Sequence, residues 1–210
     1  MADSAGLEGQ SDERVAIVRR GQWLAWVTIF YNSLEALVSI VAGLLAGSVA
    51  LVGFGFDSLI ELTSGLAGLW RLHSDASLER RERSELITLR IIGVCFLLLS
   101  AYILIDAAST LIARRPPSES IPGMVIAAVS LIVMPLLARA KRKVARKLSS
   151  GALEAEARQT ELCTYLSAIL LGGLALNAVF GWWWADPVAG LIMAPLIANE
   201  GFEALRGEED

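Results

Sequence analysis

Four acidic residues stand where acids are rare: Glu35, Asp57, Glu61 and Asp106 each interrupt a long apolar run. An ionisable group inside a membrane-crossing segment is costly and marks a functional position. No Lys or Arg lies at matching depth in these runs. The balancing cation therefore has to come from outside the chain, as a metal ion or as protons. Asp57 and Glu61 are the sharpest pair, because a spacing of four puts both carboxylates on one helix face, one turn apart. Counted from Val49, Asp57 lies ~12 Å and Glu61 ~18 Å into the run, at ~1.5 Å rise per residue. Two carboxylates so close repel, so without a cation at least one carries a proton, which an entering divalent ion displaces. That event is the elementary step of metal/proton exchange. The plainer alternative is a pair of carboxyls hydrogen-bonded across helices. Glu35 and Asp106 are candidates for an accessory or proton-coupling role.

A second pair, Gln159 and Cys163, repeats the spacing of four in a later apolar run. Gln offers a carbonyl oxygen, and Cys a thiolate once metal binding removes its proton. With Asp57 and Glu61 they make an oxygen and sulfur set of four, the number a tetrahedral ion such as Zn²⁺ prefers. Taken alone, an intramembrane Gln or Cys is usually a helix–helix hydrogen bond or a small apolar filler. Depth speaks against Cys163. Counting back from Gly181 puts it ~27 Å from the outer boundary at ~1.5 Å per residue, deeper than either carboxylate.

The elements that must position these residues are read from composition. The chain has 210 residues, 55% hydrophobic and only 19% charged, with a mean hydropathy of +0.56. A soluble domain needs roughly a quarter of its residues charged. Here the charges gather in clusters between apolar runs that approach the ~20 residues needed to cross a bilayer as a helix. The runs are too long and too continuously apolar for barrel strands. An all-α membrane bundle of six helices follows, with spans at about 23–46, 49–71, 87–112, 121–138, 157–180 and 187–203. Residues 1–22 read as a cytoplasmic N-terminal segment without a secretory signal, 23–203 as the transmembrane domain and 204–210 as a short cytoplasmic tail. Cys95 and Cys163 both fall in apolar runs, so no disulfide framework is indicated.

Basic residues orient the bundle. Of 18 Lys and Arg, 16 flank span 1 at its start, the 2–3 and 4–5 connections and the tail; only Arg114 and Arg115 lie on the other side. The positive-inside rule then puts both termini in the cytoplasm. The run from Arg139 to Lys147 reads as this topology signal, touching anionic lipid rather than nucleic acid. Trp182, Trp183 and Trp184 form an interfacial belt, and Pro116-Pro117 marks an outer turn. Gly43 and Gly47, with Gly65 and Gly68, would let helices approach closely.

At this point the residues resemble a known family. Gly47-Ser-Val-Ala-Leu-Val-Gly-Phe-Gly-Phe-Asp-Ser-Leu-Ile-Glu61 is similar to the second-helix signature of the cation diffusion facilitators. Ala155-Glu-Ala-Arg-Gln-Thr-Glu-Leu-Cys163 and Gly181-Trp-Trp-Trp-Ala-Asp-Pro-Val-Ala189 resemble their fifth helix and sixth-helix start. The resemblance implies a homodimer in the cell membrane, of the bacterial inner-membrane type, whose protomers exchange a divalent transition metal for protons. It implies a metal site at Asp57 and Glu61 on helix 2 and at Gln159 and Cys163 on helix 5. The family has His where Gln159 stands and Asp where Cys163 stands. A softer donor set leans toward Zn²⁺, Cd²⁺ or Cu⁺ over Mn²⁺ or Mg²⁺. Family members usually continue into a soluble cytoplasmic domain, whereas this chain stops at Asp210. His73 beside Asp75 falls where relatives can hold an accessory metal, or is an isolated loop histidine.

The expected function is efflux of a zinc-, cadmium- or cobalt-like ion by proton antiport, with the metal as cargo and no cofactor. The alternative is a non-transporting membrane metal sensor or partner subunit that retains the fold. An enzyme is disfavoured, since there is no His-x-x-x-His pair, nucleophile elbow or phosphate-binding glycine loop. A carrier of small organic cations is a further, weaker reading.

Overall fold

The computed structural model describes residues 2–73, 78–148 and 150–206, with side chains described for 15–67, 69, 90–148, 150 and 153–206. Within them lie six helices and no strand: α1 (Ala2–Ala46), α2 (Val49–His73), α3 (Leu78–Ala113), α4 (Ile121–Leu148), α5 (Gly151–Phe180) and α6 (Ala185–Arg206). All six are long and apolar enough to cross a membrane. The chain is a multi-pass membrane protein. Helix is the form expected in hydrocarbon, because it satisfies the backbone within one segment.

Burial is inverted relative to a water-soluble protein. Phe30, Leu45, Ile105, Ile112 and Val179 point outward, while Thr28, Asn32, Glu35, Ser58, Glu61, Thr160 and Ser167 are completely buried. The helices pack most extensively as three pairs, α1 with α2, α4 with α5 and α3 with α6. The apolar stretch of α2 is 61% buried, against 33–44% for the other five, and α2 touches α1, α3, α5 and α6. It is the central helix, so its carboxylates are interior.

Glycines set the closest approaches. A Cβ on Gly43 would lie 2.8 Å from the Val52 nitrogen, which holds α1 against α2 just after their turn. A Cβ on Gly93 would meet the Gly201 carbonyl at 2.8 Å, so α3 and α6 cross backbone to backbone. Gly47 differs from expectation. It has φ +67 and nothing near its missing Cβ, so it ends α1 in the left-handed region rather than packing helices. The Ser48 amide donates to the Gly43 carbonyl at 3.0 Å, closing a Schellman-type end. Gly65 makes only ordinary contact with Ile29 and Thr28, and the side-chain environment of Gly68 lies outside the described residues.

One acid acts as an anchor at this end of the bundle. Asp186, fully buried at the start of α6, accepts the Ser48 hydroxyl at 2.5 Å and the Val49 amide at 3.1 Å. Ser48 in turn accepts from the Leu51 amide at 3.1 Å. The N-terminus of α2 is thus capped twice, once by its own Ser and once by a carboxylate from another helix. Nearby, Trp182 and Trp184 stack at 5.2 Å and remain partly exposed, as an interfacial belt requires.

Two boundaries move. Residues 2–22 are helical, since α1 begins at Ala2 and extends ahead of the expected first span. The 4–5 connection is far shorter than expected, because α4 continues to Leu148 and α5 begins at Gly151. The basic run from Arg139 to Lys147 is therefore helical, with Arg142 paired to Glu161 across α4 and α5.

Candidate functional site

Every fourth or third residue of α1 from Thr28 onward is polar: Thr28, Asn32, Glu35 and Ser39, all completely buried. The steps of four, three and four keep them on one face. Thr28 spends its hydroxyl on the Leu24 carbonyl of its own helix, at 3.0 Å, but the other three bring polarity to the interior. Asp57, Ser58 and Glu61 of α2 face the same seam, as do Thr160, Cys163 and Ser167 of α5.

Hydrogen bonds tie the seam together in two groups. In the first, the Ser58 hydroxyl donates to Glu35 Oε2 at 2.9 Å, sharing its one hydrogen with the Phe54 carbonyl at 3.0 Å. Cys163 Sγ lies 3.9 Å from the same Glu35 oxygen and close enough to Asp57 to interact with it. In the second, the Thr160 hydroxyl meets Glu61 Oε1 at 2.5 Å. The Lys141 ammonium donates to Thr160 Oγ1 at 2.9 Å, lies 3.7 Å from Glu61 Oε1 and pairs with Glu156 Oε1 at 3.0 Å. Lys141 is 6% exposed.

That lysine corrects the sequence reading. The balancing charge is partly internal: Glu61 has a basic neighbour, supplied by α4 from a run assigned to a loop. Lys141 projects inward while Arg139, Lys143, Arg146 and Lys147 are exposed.

Several polar atoms in or beside the seam have no hydrogen-bond partner in the protein: Glu35 Oε1, Glu61 Oε2, both polar atoms of Asn32, Ser39 Oγ and Gln159 Nε2. Leaving such a group buried and unmatched costs ~1–3 kcal/mol each, more for a charge. Clustered around two carboxylates, they are atoms that a bound cation or ordered water would satisfy. Even so, among the described residues no three His, Cys, Asp or Glu side chains stand close enough to form a ready metal centre.

The candidate residues therefore sort by position. Glu35, Asp57, Glu61 and Cys163 share one buried seam. Gln159 is on α5 one residue before the Thr160 that reaches Glu61, and its amide nitrogen is buried without a partner. Asp106 stands apart on α3, where its carboxylate faces Tyr102 at 3.4 Å on an exposed surface. Asp75 and the His73 side chain lie outside the described residues. The depth objection to Cys163 dissolves because α5 overhangs α2. A Cβ on Gly123 would touch both Leu51 and Leu174, so those two residues are level. Measured from them at ~1.5 Å per residue, Glu61 lies ~15 Å and Cys163 ~17 Å down. Sequence reading missed Lys141, Thr160, Glu156 and Asn32. The four–three–four spacing of Thr28, Asn32, Glu35 and Ser39 on α1 is the signal that could have found Asn32.

A membrane bundle of six helices with carboxylates buried along an internal seam is a setting in which membrane proteins handle cations. The cation efflux transmembrane domain matches residues 25–207, and the chain belongs to that family of transporters. It is 24% identical to transmembrane protein 163 of Xenopus laevis over 188 residues, covering 89% of this chain and 66% of that protein. It is 28% identical to an uncharacterized transporter of Methanocaldococcus jannaschii over 184 residues, covering 84% and 64%. It is 27% identical to a cadmium, cobalt and zinc/H(+)-K(+) antiporter of Bacillus subtilis over 184 residues, covering 81% and 56%. The chain thus spans 56–66% of the length of these relatives.

Proposed function

We propose that this chain exports a divalent transition-metal ion of the zinc, cadmium or cobalt kind, exchanging it for protons at a mid-membrane site. The carrying observation is the placement of Glu35, Asp57, Glu61 and Cys163 along one buried seam, with two carboxylate oxygens left unpartnered. Asp57 and Glu61 supply hard oxygen donors and Cys163 a soft sulfur, a mixture suited to zinc and cadmium. Glu35 contributes a third carboxylate, and Gln159 a carbonyl oxygen after a rotamer change. Because the seam is buried and acidic, it cannot stay uncompensated, and metal has to replace positive charge already there. That replacement is what couples metal movement to an opposing flow of cations. The positive-inside distribution supports cytoplasmic termini, and the resemblance supports a homodimer.

The test is metal flux in proteoliposomes across Zn²⁺, Cd²⁺, Co²⁺ and Mn²⁺, with an opposing proton gradient, wild type beside Asp57→Ala. Uptake of at least one soft or borderline ion, lost in the variant, is the expected result. Equal flux in both would overturn the site.

A second reading, a non-transporting metal sensor or partner subunit, is favoured by one observation. Glu61 already has an ammonium beside it, so the bundle can rest without a metal. Metal binding without flux would select this reading.

A further inference from the structure

We infer that Lys141 is a tethered competitor for the transported cation: its ammonium neutralises Glu61 in the metal-free protein, and a divalent ion must displace it to load. The inference rests on Glu61 being a metal ligand, as proposed above. Lys141 is almost completely buried, which a lysine avoids unless paired. Its three neighbours are Glu156 at 3.0 Å, the Thr160 hydroxyl at 2.9 Å and Glu61 at 3.7 Å.

The geometry is graded. The short contact to Glu156 is a close ion pair at 3.0 Å, while the longer one to Glu61 at 3.7 Å is a looser attraction routed partly through Thr160. An ammonium held this way remains paired when it loses Glu61. The same carboxylate keeps one oxygen, Oε2, without any partner, so it can accept a second cation. A divalent ion on that oxygen would face the ammonium across a single carboxylate in a medium of low dielectric, where like charges repel strongly. Loading therefore pushes Lys141 toward Glu156 and weakens the link from α4 to α2. Lys141 sets the threshold affinity of the site, and Glu156 sets how easily Lys141 gives way.

The two partners predict changes of opposite sign, which a merely structural role would not. In purified protein, Cd²⁺ affinity is measured by competition with a fluorescent chelator at constant pH and salt. Replacing the pair together, as Lys141→Met with Glu156→Gln, removes the competitor without stranding a charge. It should bind Cd²⁺ about tenfold tighter, which corresponds to ~1.4 kcal/mol. Glu156→Gln alone leaves Lys141 leaning on Glu61 and should weaken binding severalfold. Lys141→Gln, which keeps a donor for Thr160 and Glu156, carries the tightening expectation should the double variant fail to fold. Unchanged or weaker binding in the lysine variants, with Glu61→Gln still reducing affinity, overturns the competitor and leaves the site standing. Unaltered affinity in Glu61→Gln overturns the site assignment and the competitor with it.

Discussion

Asp57 is buried on the central helix with Glu61 one turn away, and neither can be exchanged for a neutral side chain without removing half of that helix's carboxylates. Asp57→Ala should lose metal transport while the bundle folds, with a thermal midpoint in detergent equal to or above that of wild type, since a desolvated carboxylate has gone. A folded variant that transports normally would remove Asp57 from the site. Cys163 carries a separate expectation. Cys163→Ser should weaken Cd²⁺ and Zn²⁺ transport more than Co²⁺ or Mn²⁺ transport, and Cys163→Asp should shift preference toward harder ions. An unaltered ion profile in Cys163→Ser would make the thiol packing only. At this scale the acids of α1 and α2 were legible because a charge in an apolar run is conspicuous. Lys141 was not, because one inward lysine in a basic run looks like its outward neighbours. Nor was Thr160: the spacing of four from Cys163 selects Gln159, yet one step of ~100° along the helix brings Thr160 to Glu61 instead. Small hydroxyls in apolar helices commonly bond their own backbone, as Thr28 does, and so give no advance signal.

Helix existence was readable from apolar run length, and the inner ends were not, because basic and acidic residues continue a helix as readily as they end one. The extension of α4 through Arg146 and Lys147 puts cations in its last turn, where they favour the helix C-terminus. Contacts between elements were invisible, and two of them make predictions. Asp186→Ala removes the acceptor of the Ser48 hydroxyl and the Val49 amide and should lower stability by roughly 1–2 kcal/mol, read as a reduced thermal midpoint. Gly201→Leu forces a side chain into the Gly93 carbonyl and the Leu97 side chain and should separate α3 from α6, lowering the yield of folded protein. Gly172→Ala is the control, because nothing lies within 4 Å of the added carbon. Comparable loss in both glycine variants would mean that the close crossing does not govern these positions, since Ala and Leu are both better helix formers than Gly.

For the whole bundle, the sixteen-to-two split of basic residues predicts that cysteines introduced at Ser4 and Ser118 label from opposite sides of the membrane, with position 4 cytoplasmic. Ser118 is exposed in the α3–α4 connection, so an impermeant maleimide can reach it. Labelling of both from one side would refute the arrangement. The bilayer class was plain from composition, since long apolar runs have no other stable use. Which faces turn to lipid and which inward was not, because in a helix nearly apolar all round the seam is marked only by a few small polar residues. Six spans of this kind constrain orientation in the plane of the membrane far less than along its normal.

The Asp186 clamp gives the central helix one fixed end. At Val49 two capping acceptors and a close glycine crossing hold the chain; at Glu61, halfway along the helix, the link to α4 runs through a lysine contact of 3.7 Å. Amide protons near Val49 and Leu51 should therefore exchange with deuterium far more slowly than those after Glu61. The protein's quiet and restless halves would lie along a single helix.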